Sequence, residues 1–148
     1  KEITREYEDG KMDIKTEALK VFRMLEMINE LPGKLYSGAI VNYPDNSERG
    51  NRALMQGIVK GVKELHKLLK IEKQFPIPDE ELWSYDIAHH AGLSLKEEYE
   101  LLELLHELQR QEYLKRHLTK VIPLLAEMEA LKEKVKLNGH FKNLKGLN

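Results

Sequence analysis

The chain has 148 residues, of which 41% are apolar and 33% charged, a composition that suits one domain or one small domain with an appendage. Its net charge of −1 provides no basic field to attract nucleic acid, and the absence of cysteine excludes disulfides and zinc–thiolate sites. It contains no run of about 18 apolar residues and no signal peptide, so we expect a cytoplasmic protein with no membrane partner.

The first 46 residues are predicted to form four β-strands. Residues 3–8 and 11–18 flank Asp9-Gly10, a dipeptide that readily adopts the positive φ angles of a tight hairpin turn. Two further strands are predicted over residues 20–28 and 35–43, on either side of the turn at Pro32-Gly33. We interpret the four strands as an antiparallel β-meander whose exposed sheet edge would allow self-association. Because the chain opens at Lys1 directly in strand-like sequence, we also expect a preceding β-segment.

From Ser47 onward the apolar residues follow the period of a helix, and Ser47 is the predicted N-cap. The stripe of this first helix consists of Leu54, Ile58, Val62, Leu65 and Leu69. Gly57 and Gly61 lie four residues apart on it, which indicates a close contact with a neighbouring element. The proline-rich loop over residues 75–78 then separates this helix from the next one.

Three more helices are predicted beyond that loop. Asp79 is the expected cap of a short helix that ends at Gly92, and Ser94 with Glu97 has the spacing of a capping box for a helix over residues 95–105. The last helix is expected to reach residue 137, with a kink or a break at Pro123 and a terminator at Asn138-Gly139. The predicted fold class is therefore α+β, with a β-meander over residues 1–46 and a helical bundle over residues 47–148.

No pattern in the sequence predicts a catalytic, metal or cofactor site. The pair His106-Glu107 lacks the second histidine of a zinc peptidase, because Arg110 occupies the required position. The adjacent residues His89 and His90 would point about 100° apart on a helix and would seldom share a metal ion. No serine lies in a glycine-flanked elbow, although a Ser–Lys dyad stays open, because such partners meet only in space.

Residues 87–94 have the small residue, the turn glycine and the serine cap of a helix–turn–helix DNA reader. The charge of the segment argues against that function. Between Asp79 and Leu108 there are nine acidic residues and only one lysine. A phosphate backbone would repel the acidic residues. We therefore expect no nucleic-acid partner.

Several segments together resemble the LON substrate-binding domain, the module that Lon proteases use to engage polypeptides. They are the tracts 7–26, 31–36, 87–89, 92–94, 98–102 and 138–143. The resemblance covers nearly the whole chain but includes no catalytic signature. The chain departs from the family in having Ala18 where a glycine is usual and in lacking the family's first β-segment.

The resemblance implies a noncatalytic domain that needs no cofactor and binds unfolded or degron-bearing polypeptides. It also implies that the β-meander is part of a LON/PUA-like β-barrel. Methionine and aromatic side chains suit promiscuous contacts, although each is more often part of a core. The candidate polypeptide-binding residues are Phe22, Met24, Met27, Tyr36, Trp83 and Tyr85. The alternatives are a scaffold protein that docks one folded partner on its helical bundle, a DNA-binding protein, and an unrecognised enzyme.

Overall fold

The computed structural model describes residues 2–47 and 49–144, with side chains as far as Leu137. The chain divides into two compact units, residues 1–46 and 47–148. The first unit contains antiparallel strands and the second contains helices, so the fold class is α+β as predicted.

The first hairpin pairs strand β1 (Glu2–Glu6) with strand β2 (Met12–Lys15) in antiparallel register. The turn lies at the predicted dipeptide, where Gly10 adopts a φ of +81°. The backbone N–H of Tyr7 donates to the carbonyl of Lys11 at 2.9 Å and closes the turn. A glycine is favoured here because a side chain on a residue with positive φ would clash with the backbone.

The second hairpin pairs strand β3 (Arg23–Ile28) with strand β4 (Gly38–Asn42). Its connection contains the predicted turn, in which the N–H of Lys34 donates to the carbonyl of Leu31 at 3.0 Å and Gly33 has a φ of +72°. The register shifts between Met24 and Glu26, so that an extra residue bulges out of β3.

The predicted four-stranded meander is wrong in one respect. The described strands form two separate two-stranded sheets, and β2 does not pair with β3. Residues 16–22, which were expected to extend the strands on both sides, are irregular. This stretch contains no glycine, proline or asparagine to make a tight reversal, so nothing local directs β3 back onto β2.

The two hairpins leave their apolar side chains exposed, and none of the residues described in this unit is buried. The exposed large apolar residues of the strands are Ile3, Met12, Ile14, Met24, Leu25, Met27 and Ile40, each exposed by 48–60%. A single hairpin buries too little apolar surface to be stable alone in water.

The helical unit begins with helix α1 (Arg52–Leu68), whose N-cap is Asn51 and not Ser47 as expected. The side chain of Asn51 accepts the N–H of Leu54 at 3.0 Å. Ser47 instead pairs with the segment before the last helix, donating its N–H to Leu105 at 2.8 Å and accepting that of Glu107 at 2.9 Å. Ser47, which the local sequence predicted as the cap, is therefore part of a long-range bridge to the segment before the last helix.

The next helix, α2 (Ser84–Ala88), starts later than expected. The carboxylate of Asp79 pairs with Lys63 on α1 and does not cap a helix. Helix α2 is capped at Trp83, whose backbone N–H donates to Asp86 at 2.8 Å.

Helix α3 (Leu95–Glu103) follows the predicted turn at Gly92, which has a φ of +72°. Its predicted capping box is confirmed, because Ser94 and Glu97 exchange hydrogen bonds between side chain and backbone.

The longest helix, α4, spans Glu107–Leu144 and runs through Pro123 without a break. A proline inside a helix removes one backbone hydrogen bond and costs about 3 kcal/mol, but the helix can continue on both sides of it. The predicted terminator at Asn138-Gly139 is wrong, because the helix continues to Leu144. A helix-interior glycine costs only about 1 kcal/mol relative to alanine, so it does not by itself end a helix.

The core of the helical unit lies between α1, α2 and the first half of α4. It contains Met55, Ile58, Val59, Val62, Leu65, Leu82, Ile87, Ala88, Ala91, Leu101, Leu114 and Leu118. In the described part of the chain, no helix is long and apolar enough throughout to cross a bilayer.

Candidate functional site

A cluster of polar side chains is buried where α2 meets the start of α4. It consists of Ser84, Glu107, Arg110 and Gln111, each at most 1% exposed. The carboxylate of Glu107 accepts the Ser84 hydroxyl at 2.5 Å, the Ser84 backbone N–H at 3.0 Å and an Arg110 guanidinium N–H at 2.9 Å. It also accepts the side-chain amide of Gln111 at 3.0 Å.

The cluster ties together segments that are distant in the sequence. Arg110 donates to the carbonyl of Leu104 at 2.7 Å, and the amide oxygen of Gln111 accepts the backbone N–H of Asn51 at 2.8 Å. Gly50 lies so close that a Cβ atom there would approach the Gln111 amide nitrogen to 2.5 Å. The cluster therefore fixes the starts of α1, α2 and α4 relative to one another.

Two of the predicted binding residues, Trp83 and Tyr85, flank buried Ser84, and each of them stacks on an arginine. The guanidinium carbon of Arg52 lies 3.6 Å from the centroid of the Trp83 ring, and that of Arg110 lies 4.1 Å from the Tyr85 ring. The Tyr85 side chain remains 39% exposed. Both aromatic side chains are partly accessible, and the Tyr85 ring is held in place by Arg110 of the buried cluster.

Three other predicted binding residues lie on or beside the hairpin of β3 and β4. The bulge between Met24 and Glu26 shifts the alternation by one residue, so Met24 and Met27 lie on the same face. Their side chains are 53% and 56% exposed. Phe22 is 52% exposed and its ring lies 6.4 Å from that of Tyr43 in an edge-to-face contact. This surface, made of Phe22, Met24 and Met27, is called the methionine face below.

The sixth predicted residue, Tyr36, lies in the loop before β4 and is 64% exposed. The candidate residues thus form two groups, one on the hairpin unit and one on the helical unit. The structure places Met24 and Met27 on the same face of β3, and Trp83 and Tyr85 on either side of Ser84 in the chain.

An open apolar groove of about 420 Å³ runs between α1 and α4. Its floor includes Gly57, where a Cβ atom would meet nothing within 4 Å. At Gly61 a Cβ atom would lie 3.2 Å from Leu118, so only this glycine makes the close helix contact expected from the sequence. Ile122 and Pro123 line the other side of the groove.

The histidines are held by separate partners. The Nε2 atom of His66 lies 3.0 Å from the carbonyl of His90, Nε2 of His117 lies 3.1 Å from that of Ala91, and Nδ1 of His89 lies 3.0 Å from Glu98. Burial, together with Lys73 and the neighbouring histidines, lowers the pKa of His90. Among the described residues, no three side chains are grouped to hold a metal ion.

The serines occupy structural positions. Ser84 is fully buried against Glu107, Ser94 caps α3, and Ser37 donates its hydroxyl to the carbonyl of Asn29 at 2.9 Å. Ser47 lies in the bridge to α4. A buried hydroxyl such as that of Ser84 cannot reach a substrate unless the surrounding structure opens.

The tyrosine with the largest pKa shift, Tyr113, joins α3 to α4. Its hydroxyl donates to Glu100 at 2.8 Å. Burial and this carboxylate raise the pKa of Tyr113 to about 12, so the phenol stays protonated as a hydrogen-bond donor at neutral pH.

Sequence reasoning missed the buried polar cluster. The i, i+3, i+4 spacing of Glu107, Arg110 and Gln111 places the three side chains on one helix face. The same spacing also occurs on the solvated faces of helices. The spacing alone therefore could not predict the cluster, because the cluster also needs Ser84, which contacts Glu107 only in the folded chain.

Comparison with known proteins found no matching family, no matching curated protein and no matching solved structure.

Proposed function

We propose that the chain is a noncatalytic polypeptide-binding module of the LON type that acts in the cytoplasm on unfolded or degron-bearing chains. The observation that carries the proposal is the methionine face, on which Met24 and Met27 lie together and are each more than half exposed. Long unbranched methionine side chains adapt to irregular apolar partners, which suits a surface that must accept many sequences. The sequence resemblance to LON domains supports the same function.

The hairpin also offers backbone groups to an extended chain. A two-stranded sheet has two edges, and each edge presents N–H and C=O groups that an added strand can pair with. Main-chain pairing at an edge would supply affinity without sequence preference, and the methionine face would bind apolar side chains of the same polypeptide. The same edges account for the proposed self-association between copies.

The exposure of the apolar strand residues supports a more specific proposal about the fold of the first unit. We propose that the two hairpins belong to a LON/PUA-like β-barrel in which further strands cover the apolar residues of β1 to β4 that lie outside the methionine face. Its support is that side chains such as Ile14 and Leu25 are about 60% exposed in hairpins that have no core of their own.

The test is fluorescence anisotropy of a labelled, permanently unfolded polypeptide titrated with the chain. We expect saturable binding that other unfolded chains compete away. Changing Met24→Gln and Met27→Gln together should weaken it about tenfold, the effect of losing roughly 1.4 kcal/mol at a binding surface. The matched control is Met12→Gln, a methionine 51% exposed on the other hairpin, which should leave the affinity unchanged.

Three results would contradict the proposal. They are the absence of binding, an equal loss of affinity in the Met12 control, and cleavage of the polypeptide. Trp83→Ala tests the second surface in the same assay, and a smaller loss is expected because Arg52 already covers one face of this ring.

A second candidate function is docking of one folded partner on the helical unit, and the groove between α1 and α4 favours it. Gly57→Leu would fill the open floor of this groove. If a single folded partner binds more tightly than denatured chains and this variant abolishes its binding, docking is the function.

A further inference from the structure

From Leu118 onward, α4 carries two apolar faces, and only one of them packs on the core of this chain. Side chains advance about 100° per residue around a helix. Leu118, Val121 and Leu125 point towards the core and contact it. A second set points about a quarter turn away and is exposed by 54–62%: Leu124, Met128, Leu131 and Val135. This set is called the distal stripe below.

The members of the distal stripe are spaced by four, three and four residues, so that Leu124 and Leu131, and likewise Met128 and Val135, lie seven residues apart. A seven-residue repeat keeps side chains facing a second helix along its length, and it is the repeat of a coiled coil. In that repeat, Met128 and Val135 take the a positions, while Leu124 and Leu131 take the d positions. The distal stripe is therefore patterned for a helical partner.

The same face of α4 is already covered by helical structure in its first half. Tyr113 and His117 lie on the line of the distal stripe, about three turns and two turns before Leu124. Tyr113 contacts Glu100 of α3, and His117 contacts Ala91 and Glu97. Beyond the reach of α3, the face continues with apolar side chains.

The charges beside the distal stripe suit a second copy of the same helix. Glu127 occupies a g position, Lys132 an e position and Lys134 a g position. In a parallel pair, Glu127 faces Lys132 of the second copy, and in an antiparallel pair it faces Lys134 of the second copy. Either orientation brings two opposite-charge pairs to the interface.

From this pattern we infer that two copies of the chain associate through their distal stripes, forming a short two-helix coiled coil along the second half of α4. The partner is a second copy because the stripe has the seven-residue repeat of a coiled coil and its flanking charges are self-complementary. This interface differs from pairing at the sheet edges, because it uses only residues of the helical unit.

The first experiment is sedimentation equilibrium of the full chain over a range of concentrations. We expect the mass to rise from that of one copy to that of two. Leu131→Glu, which puts a carboxylate into the seam, should raise the dimer dissociation constant at least tenfold. The matched control is Leu95→Glu, at a leucine 83% exposed on α3, and it should leave the dimer unchanged. Circular dichroism checks that both variants keep their helices.

The second experiment uses the absence of cysteine in the chain. A Met128→Cys variant should form a disulfide-linked dimer on oxidation if the helices run parallel. If they run antiparallel, the link should form in a mixture of Met128→Cys and Leu131→Cys variants. An Ala126→Cys control, on the opposite side of the helix, should stay unlinked.

Two outcomes would overturn the inference. One is a chain that remains monomeric at every concentration. The other is a dimer that Leu131→Glu leaves intact, which would place the contact elsewhere, for example at the sheet edges.

Discussion

At the scale of single residues, the helical unit depends on a buried ion pair that has a full set of hydrogen bonds. Glu107 and Arg110 are each 1% exposed, and Ser84 and Gln111 satisfy the remaining carboxylate positions. Among the described residues, no buried side-chain nitrogen or oxygen lacks a hydrogen-bond partner. Removing one member would therefore leave the others buried and unsatisfied, which costs far more than the loss of one contact.

This argument predicts a large effect for one substitution. Glu107→Ala should lower the free energy of unfolding by about 3–5 kcal/mol, because it leaves the Arg110 charge buried without a counterion. The measurement is urea unfolding followed by circular dichroism. Glu112→Ala on the same helix is the control, since its pair with Lys115 is half exposed and should contribute less than about 1 kcal/mol. Equal losses in the two variants would show that the cluster does not hold the unit together.

At the scale of elements, the start of α3 is defined by its capping box. Ser94 accepts the N–H of Glu97 at 3.4 Å, and the Glu97 carboxylate accepts the N–H and the hydroxyl of Ser94, each at 2.7 Å. These hydrogen bonds lower the pKa of Glu97 below its ordinary value of 4.5. A lowered folded-state pKa means that the contribution is present above pH 4.5 and is lost as the pH falls through the folded-state value.

The cap therefore predicts a pH-dependent effect of Ser94→Ala. At pH 7 the variant should be less stable by about 1 kcal/mol, the usual loss for an N-cap serine. The difference from the parent should narrow as the pH is lowered below 4.5, because Glu97 becomes protonated. In a Glu97→Gln background, which keeps a capping side chain without the charge, the effect of Ser94→Ala should not change with pH. A constant difference in both backgrounds would refute the role given to the carboxylate.

Elements were predictable from sequence where the signal was local. The turns at Gly10 and Gly33 and the box at Ser94 each depend on a few adjacent residues, and all three were predicted correctly. Gly92 has the positive φ of a helix terminator, but α2 already ends at Ala88 and not at Gly92 as predicted. The errors arose where a distant partner competed for a residue. Residues 16–22 are irregular and carry no strong signal of their own, and the prediction wrongly extended the flanking strands into them.

Two residues show that competition. Ser47 was expected to cap α1 but bonds to Leu105 and Glu107 instead, and Asp79 was expected to cap α2 but pairs with Lys63. The candidate site residues show the same difference between local and distant signals. The methionines were predicted as binding residues from their residue type alone, whereas the buried cluster depends on a contact between Ser84 and Glu107, which are 23 residues apart in the sequence.

At the scale of the whole molecule, the buried apolar side chains all belong to the helical unit. Burying a leucine- or isoleucine-sized side chain contributes about 1.5–3 kcal/mol, so this core is the source of cooperative stability. The hairpin unit has no buried residue among those described, and two-stranded hairpins are marginal by themselves. The two parts of the chain should therefore differ in their ability to fold alone.

We expect a fragment of residues 47–148 to unfold cooperatively in urea at nearly the midpoint of the full chain, because it retains the core and the polar cluster. A fragment of residues 1–46 should show no cooperative transition, since its apolar side chains have nothing to pack against. The slope of the transition with urea reports the surface exposed on unfolding, so the fragment 47–148 should also keep most of the slope of the full chain. A large drop in its midpoint would mean that the helical unit takes much of its stability from residues 1–46. Cooperative folding of the fragment 1–46 would mean that the hairpins form a core of their own.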